Sequence, residues 1–131
     1  MKYLVDTHIL LWSFFEPEKL TVNIREKLLD VNNEIYYCPI NLWEISIKYG
    51  LKKLSLRGLT PEDFIEELNN SYLLCKEIDN YSIITVYNLP KFHKDPFDRF
   101  LIWEAIRNNM TILTADSMFK HYTQFGLSLE I

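Results

Sequence analysis

Glycine and cysteine are scarce in this chain, with three glycines and two cysteines among 131 residues. So little glycine excludes a collagen-like or low-complexity polymer. Cys38 and Cys75 lie far apart in apolar surroundings and form no Cys-x-x-Cys pair. Two reduced core residues are expected from them, in preference to a zinc site or a disulfide framework. No apolar run approaches the roughly 18 residues that span a bilayer, and Asp6 interrupts the N-terminus before a signal-peptide core develops. A soluble, cytoplasmic protein with no membrane partner is expected. Basic residues are also in deficit: 14 Lys and Arg face 18 Asp and Glu, a formal charge of −4. That excludes coating nucleic acid by bulk attraction, which needs a cationic excess. It leaves open a phosphate-handling site in which a bound cation reverses the local sign and a few basic side chains hold the rim. Lys48, Lys52, Lys53 and Arg57 form one basic cluster, and Lys91, His93, Lys94 and Arg99 another.

What is present is apolar and periodic. Hydrophobic residues make up 48% of the chain, enough for one core, and the length suits a single domain over residues 1–131. Tyr3-Leu4-Val5 reads as a strand that ends at Asp6, with a helix from Ile9 to Trp12 after it. Residues 21–31 read as an amphipathic helix capped by Thr21, and Ile35–Cys38 as a second strand stopped by Pro39. Ile40, Trp43, Ile47 and Leu51 recur at helical spacing as an apolar stripe, with Gly50 where a helix end needs a left-handed residue. Thr60-Pro61-Glu62-Asp63 opens a helix that runs to about Asn70. Tyr72–Cys75, Met110–Leu113 and Leu127–Leu129 read as further strands. Asp79 begins a helix towards Leu89, Asp95-Pro96 one through Asn108, and Asp116 a short one through Tyr122. Strands alternating with helices predict an α/β fold with right-handed crossovers and a mainly parallel, five-stranded sheet covered on both faces. Ligands of such sheets bind beyond the carboxyl ends of the strands, where Asp6 and Asp116 fall.

Four acids stand out, and most have an ordinary explanation. Asp6 and Asp116 are placed to cap helices, and Asp98 to favour the dipole in the first turn of its own. Glu44 is harder to absorb. It lies between Ile40 and Ile47 on a helix and so points partly into an apolar face, where an unpaired carboxylate is costly. Asp98 likewise shares a face with Leu101, Ile102 and Ala105. Four carboxylates brought together raise one another's pKa unless something positive sits among them. A divalent cation answers that need, and an all-oxygen donor set suits hard Mg²⁺ or Mn²⁺. His8, His93 and His121 show no metal-ligand spacing and receive no catalytic role at this point.

Four segments carry a resemblance to a known family. Asp6-Thr7-His8-Ile9-Leu10-Leu11-Trp12, Leu42-Trp43-Glu44-Ile45-Ser46-Ile47-Lys48, His93-Lys94-Asp95-Pro96-Phe97-Asp98-Arg99 and Leu113-Thr114-Ala115-Asp116 resemble, in this order, the motifs of the PIN-domain family. The likeness is to its VapC-type toxin ribonucleases and covers essentially the whole chain. It implies a three-layer α/β/α sandwich whose acidic cluster binds one or two divalent metals and hydrolyses RNA, leaving 5′-phosphate and 3′-hydroxyl ends. Asp6, Glu44, Asp98 and Asp116 match the family's acids. Thr7 and Thr114 match supporting hydroxyls, while Asp95 reads as a cap or outer acid. Lys48 and Arg99 match basic positions, with RNA phosphate and plain solvation as equal readings. The resemblance also implies a homodimer and a small antitoxin partner, and a 15% aromatic content, more than one small core hides, points the same way. There are two departures: Asn41 stands where serine is usual, and Trp103-Glu104 where a smaller pair is usual.

Two other classes compete. A phosphotransfer enzyme forming an aspartyl-phosphate also places an aspartate after its first strand, but its usual second aspartate is replaced by His8. A non-catalytic interaction module would use the acids as caps and the aromatics, Trp12, Phe14 and Phe15 among them, as a partner groove.

Overall fold

The computed structural model describes every residue from Met1 to Ile131. Five strands, β1 (Lys2–Val5), β2 (Glu34–Tyr37), β3 (Leu74–Cys75), β4 (Thr111–Leu113) and β5 (Ser128–Glu130), form one sheet. Their order is β3-β2-β1-β4-β5, and every neighbouring pair is parallel. The chain therefore builds outward from β1 in one direction and then crosses to build outward in the other. Its switch point lies between β1 and β4, the place where open α/β sheets form their clefts.

Six α-helices connect the strands: α1 (Thr7–Phe15), α2 (Val22–Leu29), α3 (Pro39–Gly50), α4 (Pro61–Asn69), α5 (Asn80–Thr85) and α6 (Pro96–Asn108). Side chains alternate along each strand, so the sheet feeds two cores. Tyr3, Val5, Ile35, Tyr37 and Leu113 pack on one face against Ile9 and Leu10 of α1, Ile24 of α2 and Phe64 of α4. Leu4 and Ile112 pack on the other against Phe100, Leu101 and Ala105 of α6 and Phe119 and Tyr122 of the 3-10 helix Ser117–Phe125. The result is the three-layer α/β/α arrangement. No helix is long and apolar enough to cross a membrane.

Local signals place most boundaries. Thr21 and Thr60 cap α2 and α4 with their hydroxyls, and Thr60 and Asp63 form a reciprocal capping box. Asp95-Pro96 opens α6, which ends at Asn108 with Asn109 in the left-handed region.

Three expectations need correction. The stripe Ile40, Trp43, Ile47 and Leu51 does not bury α3, since Trp43 and Leu51 are each 59% exposed; Asn41, Glu44 and Ile45 are buried instead. The inner face of α3 meets a polar neighbourhood that offers hydrogen bonds to Asn41 and Glu44, so burial follows satisfied polar groups and not hydrophobicity. Gly50 stays helical, and Lys52, at φ 58°, makes the left-handed turn. Cys75 lies exposed on the edge strand β3, which shortens to two residues because it pairs on one side alone; Cys38 is buried, and both are free.

The Trp103-Glu104 departure has a structural use. The Trp103 indole donates to Thr85 Oγ1 at 3.2 Å and ties α6 to α5. Glu104, 1% exposed, accepts from Asn108 at 2.5 Å and faces Lys76 at 3.4 Å, while its Oε2 has no partner.

Tyr122 connects the fold to the segment preceding α6. Its buried hydroxyl donates to the Pro90 carbonyl at 2.8 Å and accepts from the amides of Phe92 at 3.0 Å and His93 at 2.8 Å. Tyr122→Phe leaves two amides and a carbonyl without that oxygen, so it should destabilise the protein by about 2 kcal/mol. Urea denaturation of the two proteins checks this; equal midpoints would mean that the amides find other partners.

Candidate metal centre

The carboxyl ends of β1 and β4 deliver two acids to the switch point. The Asp6 amide donates to the Leu113 carbonyl at 3.1 Å and closes the seam between the strands. Its carboxylate, in a residue 3% exposed, accepts from the Ile9 amide at 2.8 Å through Oδ1 and from the Thr114 hydroxyl at 2.5 Å through Oδ2. Thr114 Oγ1 in turn accepts from the Asp116 amide at 3.0 Å. Asp116 caps the 3-10 helix through Oδ1, which accepts from Met118 at 2.9 Å, and turns Oδ2 to His93 Nε2, also at 2.9 Å.

Two helices supply the other acids. Asp95 caps α6 by accepting from the amides of Phe97 at 2.8 Å and Asp98 at 3.3 Å, which fixes Asp98 in the first turn. Asp98 Oδ2 lies 3.3 Å from the same His93 Nε2. On α3, Glu44 accepts from Thr7 Oγ1 at 2.6 Å and from Lys48 Nζ at 2.5 Å, and Asn41 Nδ2 donates to Thr7 Oγ1 at 3.0 Å. Asn41, Thr7, Glu44 and Lys48 thus form one continuous chain. Asn41, the residue at the serine position, locks the hydroxyl that holds Glu44.

His93, to which sequence reasoning assigned no catalytic role, stands at the centre of the cluster. Its Nδ1 accepts from the Asp95 amide at 3.2 Å, so the ring proton sits on Nε2 and is presented to Asp98 and Asp116. His93, Asp98 and Asp116 bring potential ligand atoms within 4.8 Å of one another. No spacing announces this, because Asp116 is remote in sequence and the approach to Asp98 depends on the turn before Pro96. The basic positions are engaged as well. Arg99 donates to the carbonyls of Leu89 at 2.9 Å and Pro90 at 3.0 Å, a structural brace, and Lys48 neutralises Glu44.

The electrostatics report how closely the acids sit. Burial, followed by the charges of Asp95, Asp6, Glu44 and Asp116, pushes the Asp98 carboxyl up to about 8. Burial also pushes Asp6 up to about 6, against the lowering effect of its bonds from Thr114 and Ile9. Asp116 goes the other way: partial burial raises it, but hydrogen bonds from His93 and Met118 and the facing charge of His93 hold it below the ordinary carboxylate range. Burial lowers Lys48, yet the bond and charge of Glu44 with the charges of Asp95 and Asp98 raise it on balance, so it remains a cation. A pocket of carboxylates that retains a proton near neutral pH fits a hard divalent cation. His93, Asp98 and Asp116, with Asp6 beside Asp116, form an acidic cluster that could hold a divalent metal ion.

The PIN domain family model matches residues 3–124. Among solved structures, VapBC2 from Rickettsia felis bound to a DNA fragment from its promoter superposes with a TM-score of 0.67 at 22% identity, covering 99% of this chain and 98% of that one. VapBC-1 from nontypeable Haemophilus influenzae gives 0.64 at 18% identity, with coverage of 99% and 97%. FitAcB from Neisseria gonorrhoeae gives 0.64 at 17% identity, with coverage of 98% and 96%. No curated protein sequence matches this chain.

The raised carboxyls set a pH dependence. Unfolded carboxyls titrate near 4, so between about pH 4 and the folded values near 6 for Asp6 and 8 for Asp98 the native state holds more protons. Stability of the metal-free protein therefore declines as pH rises through that window, whereas the lowered Asp116 acts oppositely and below it. Melting in chelator should occur at a higher temperature near pH 5 than near pH 8, and Asp98→Asn should flatten the difference. An unchanged difference in Asp98→Asn would mean that the slope arises elsewhere.

Proposed function

The chain belongs to the PIN-domain family of nucleases, and from that premise we propose that it is a Mg²⁺- or Mn²⁺-dependent endoribonuclease and the toxin of a bacterial toxin–antitoxin pair. The observation that carries the proposal is the grouping of Asp98 and Asp116 about His93 at the strand switch, with Asp6 lining the same cavity as Asp116. Asp6, Asp98 and Asp116, with Glu44 behind them, would hold the ion. A divalent cation, when bound, supplies Lewis acidity and charge neutralisation at the scissile phosphate.

The chain's own residues do the rest. Thr114 and the Ile9 amide aim the Asp6 carboxylate inward, while Asp95 fixes the α6 turn that presents Asp98. His93 Nε2 faces both carboxyls, at 3.3 Å from Asp98 and 2.9 Å from Asp116, and ties α6 to the end of β4. Thr7 and Lys48 keep Glu44 oriented. No side chain here is placed as a covalent nucleophile, so hydrolysis by water across a positioned phosphate is the reaction that the group favours.

The VapBC and FitAB complexes that share the fold support an antitoxin as partner. Exposed apolar side chains on α3 and α5 and in the residues directly after them, among them Trp43, Leu51, Ile84 and Tyr87, support self-association as a homodimer. Light scattering should give the mass of a dimer, and a monomer at micromolar concentration would remove that part of the proposal.

Asp6→Asn and Asp98→Asn should each abolish metal-dependent cleavage of RNA while leaving a folded protein that is no less stable without metal, because each removes charge with little change of shape. Saturating Mn²⁺ should raise the melting temperature of the wild type, by the equivalent of roughly 2.7 kcal/mol at a hundredfold excess over Kd. That gain should shrink as pH falls, since protons and cation compete for the same oxygens. Stabilisation by Mn²⁺ that persists in the double variant would place the ion elsewhere and refute the assignment.

A further inference from the structure

A second cavity, about 450 Å³ in volume, adjoins the acid cluster. Its lining includes Thr7, Trp12, Glu16, Glu44, Lys53 and Arg57. Trp12 and His8 also line the smaller cavity that opens beside Asp6 and Asp116. Their rings, 5.9 Å apart, form a ridge between the two. The cleft is thus continuous with the proposed metal site and falls in the size range of ligand pockets, roughly 300–1,000 Å³.

The far wall is the loop 51–59, Leu-Lys-Lys-Leu-Ser-Leu-Arg-Gly-Leu, which carries three cations and no acid in a chain whose formal charge is −4. Leu56 is 1% exposed and Leu54 and Leu59 pack on the same core, so the loop is pinned from beneath and its basic side chains are left outside. Lys52 and Arg57 hold left-handed φ values of 58° and 55°, which non-glycine residues adopt rarely and which recur where a loop is fixed for binding. Lys53 is in no ion pair, and the Arg57 pair with Glu16, at 3.6 Å, is partly exposed and weak.

Glu16, which pairs with Arg57, also lines the cavity, so Lys53 is its free cation. Basic side chains beside an aromatic ring are the chemistry of single-stranded nucleic-acid grooves, where lysine and arginine follow the phosphates and rings take the bases. We propose that this cleft binds the single-stranded RNA segment flanking the cleaved bond, with a backbone phosphate on Lys53 and Arg57 and a base against Trp12. This rests on the nuclease reading. An acidic protein segment offers carboxylates to the same two cations but no base for Trp12, and the test separates the two.

The experiment uses the full chain and a fluorescein-labelled, mixed-sequence oligoribonucleotide of 20 nucleotides. Anisotropy in EDTA reads binding without cleavage, and initial rates in Mn²⁺ read turnover. Lys53→Ala/Arg57→Ala should weaken Kd and raise KM about tenfold at 0.1 M salt and reduce the salt slope of binding by about 1.4, two charges at about 0.7 each. It should leave kcat within twofold. Lys27→Ala/Lys120→Ala, remote from the cleft, removes the same charge and should leave Kd within twofold. Trp12→Leu should weaken binding and Trp12→Phe restore it, with thermal melts checking that both fold. Wild-type Kd and slope in the Lys53/Arg57 variant, or an equal loss in the remote variant, would overturn the cleft assignment with the nuclease intact. Wild-type protein that neither binds nor cuts the probe overturns the nuclease reading, and this one with it.

Discussion

A carboxylate buried at the seam between two parallel strands must be satisfied from both sides of that seam, and Asp6 is such a group. The Ile9 amide reaches it from α1 and the Thr114 hydroxyl from the end of β4. An unsatisfied buried acid is costly enough to offset much of a small domain's net stability, so β1, α1 and β4 must register together around this one side chain. Thr114 then accepts from the Asp116 amide, and Asp116 from His93. The arrangement of the rest of the cluster follows from satisfying Asp6.

Capping and ligand binding are not rival explanations of these aspartates. Asp6, Asp95 and Asp116 each cap a helix with Oδ1. A cap occupies one oxygen and sits where strand passes into helix; at a switch point several such junctions converge. The second oxygen of Asp6 and of Asp116 is therefore directed at the neighbouring junction. Helix initiation builds an acidic pocket as a by-product of topology, and Glu44, which caps nothing, reaches it from the inner face of α3.

This explains what was legible in the sequence. Asp95-Pro96 to Asn108 and Thr60 to Asn69 were readable because caps and proline act within one turn. The parallel sheet followed from strands alternating with helices, whereas the division of Tyr3, Leu4 and Val5 between two cores became visible in the structure. Glu44 and Asp98 were visible as acids out of keeping with their helix faces, Asp6 and Asp116 as acids at strand ends, and the family motifs gave the four an order. What failed depends on tertiary partners. The apolar stripe of α3 pointed outward because Asn41 and Glu44 had better bonds inside, and Arg99 turned to two carbonyls near Pro90. His93 needed the loop before α6 to be folded before its Nε2 met two acids.

The same cluster explains how an acidic chain is suited to a phosphate-bearing substrate. Near neutral pH the metal-free pocket is not a bare sum of four negative charges: Lys48 balances Glu44, and Asp98 retains a proton because burial and its neighbours disfavour the anion. The proton occupies the electrostatic role that a cation fills more completely, so the fold tolerates the pocket without an ion yet leaves affinity for one. A divalent cation held there would displace that proton and turn a locally repulsive surface into one suited to phosphate while the net charge elsewhere stays negative. Selectivity for a strand that enters along the cationic loop then comes from the shape of the field and not from its total, because distant acids are screened within about a Debye length, roughly 8 Å at physiological salt.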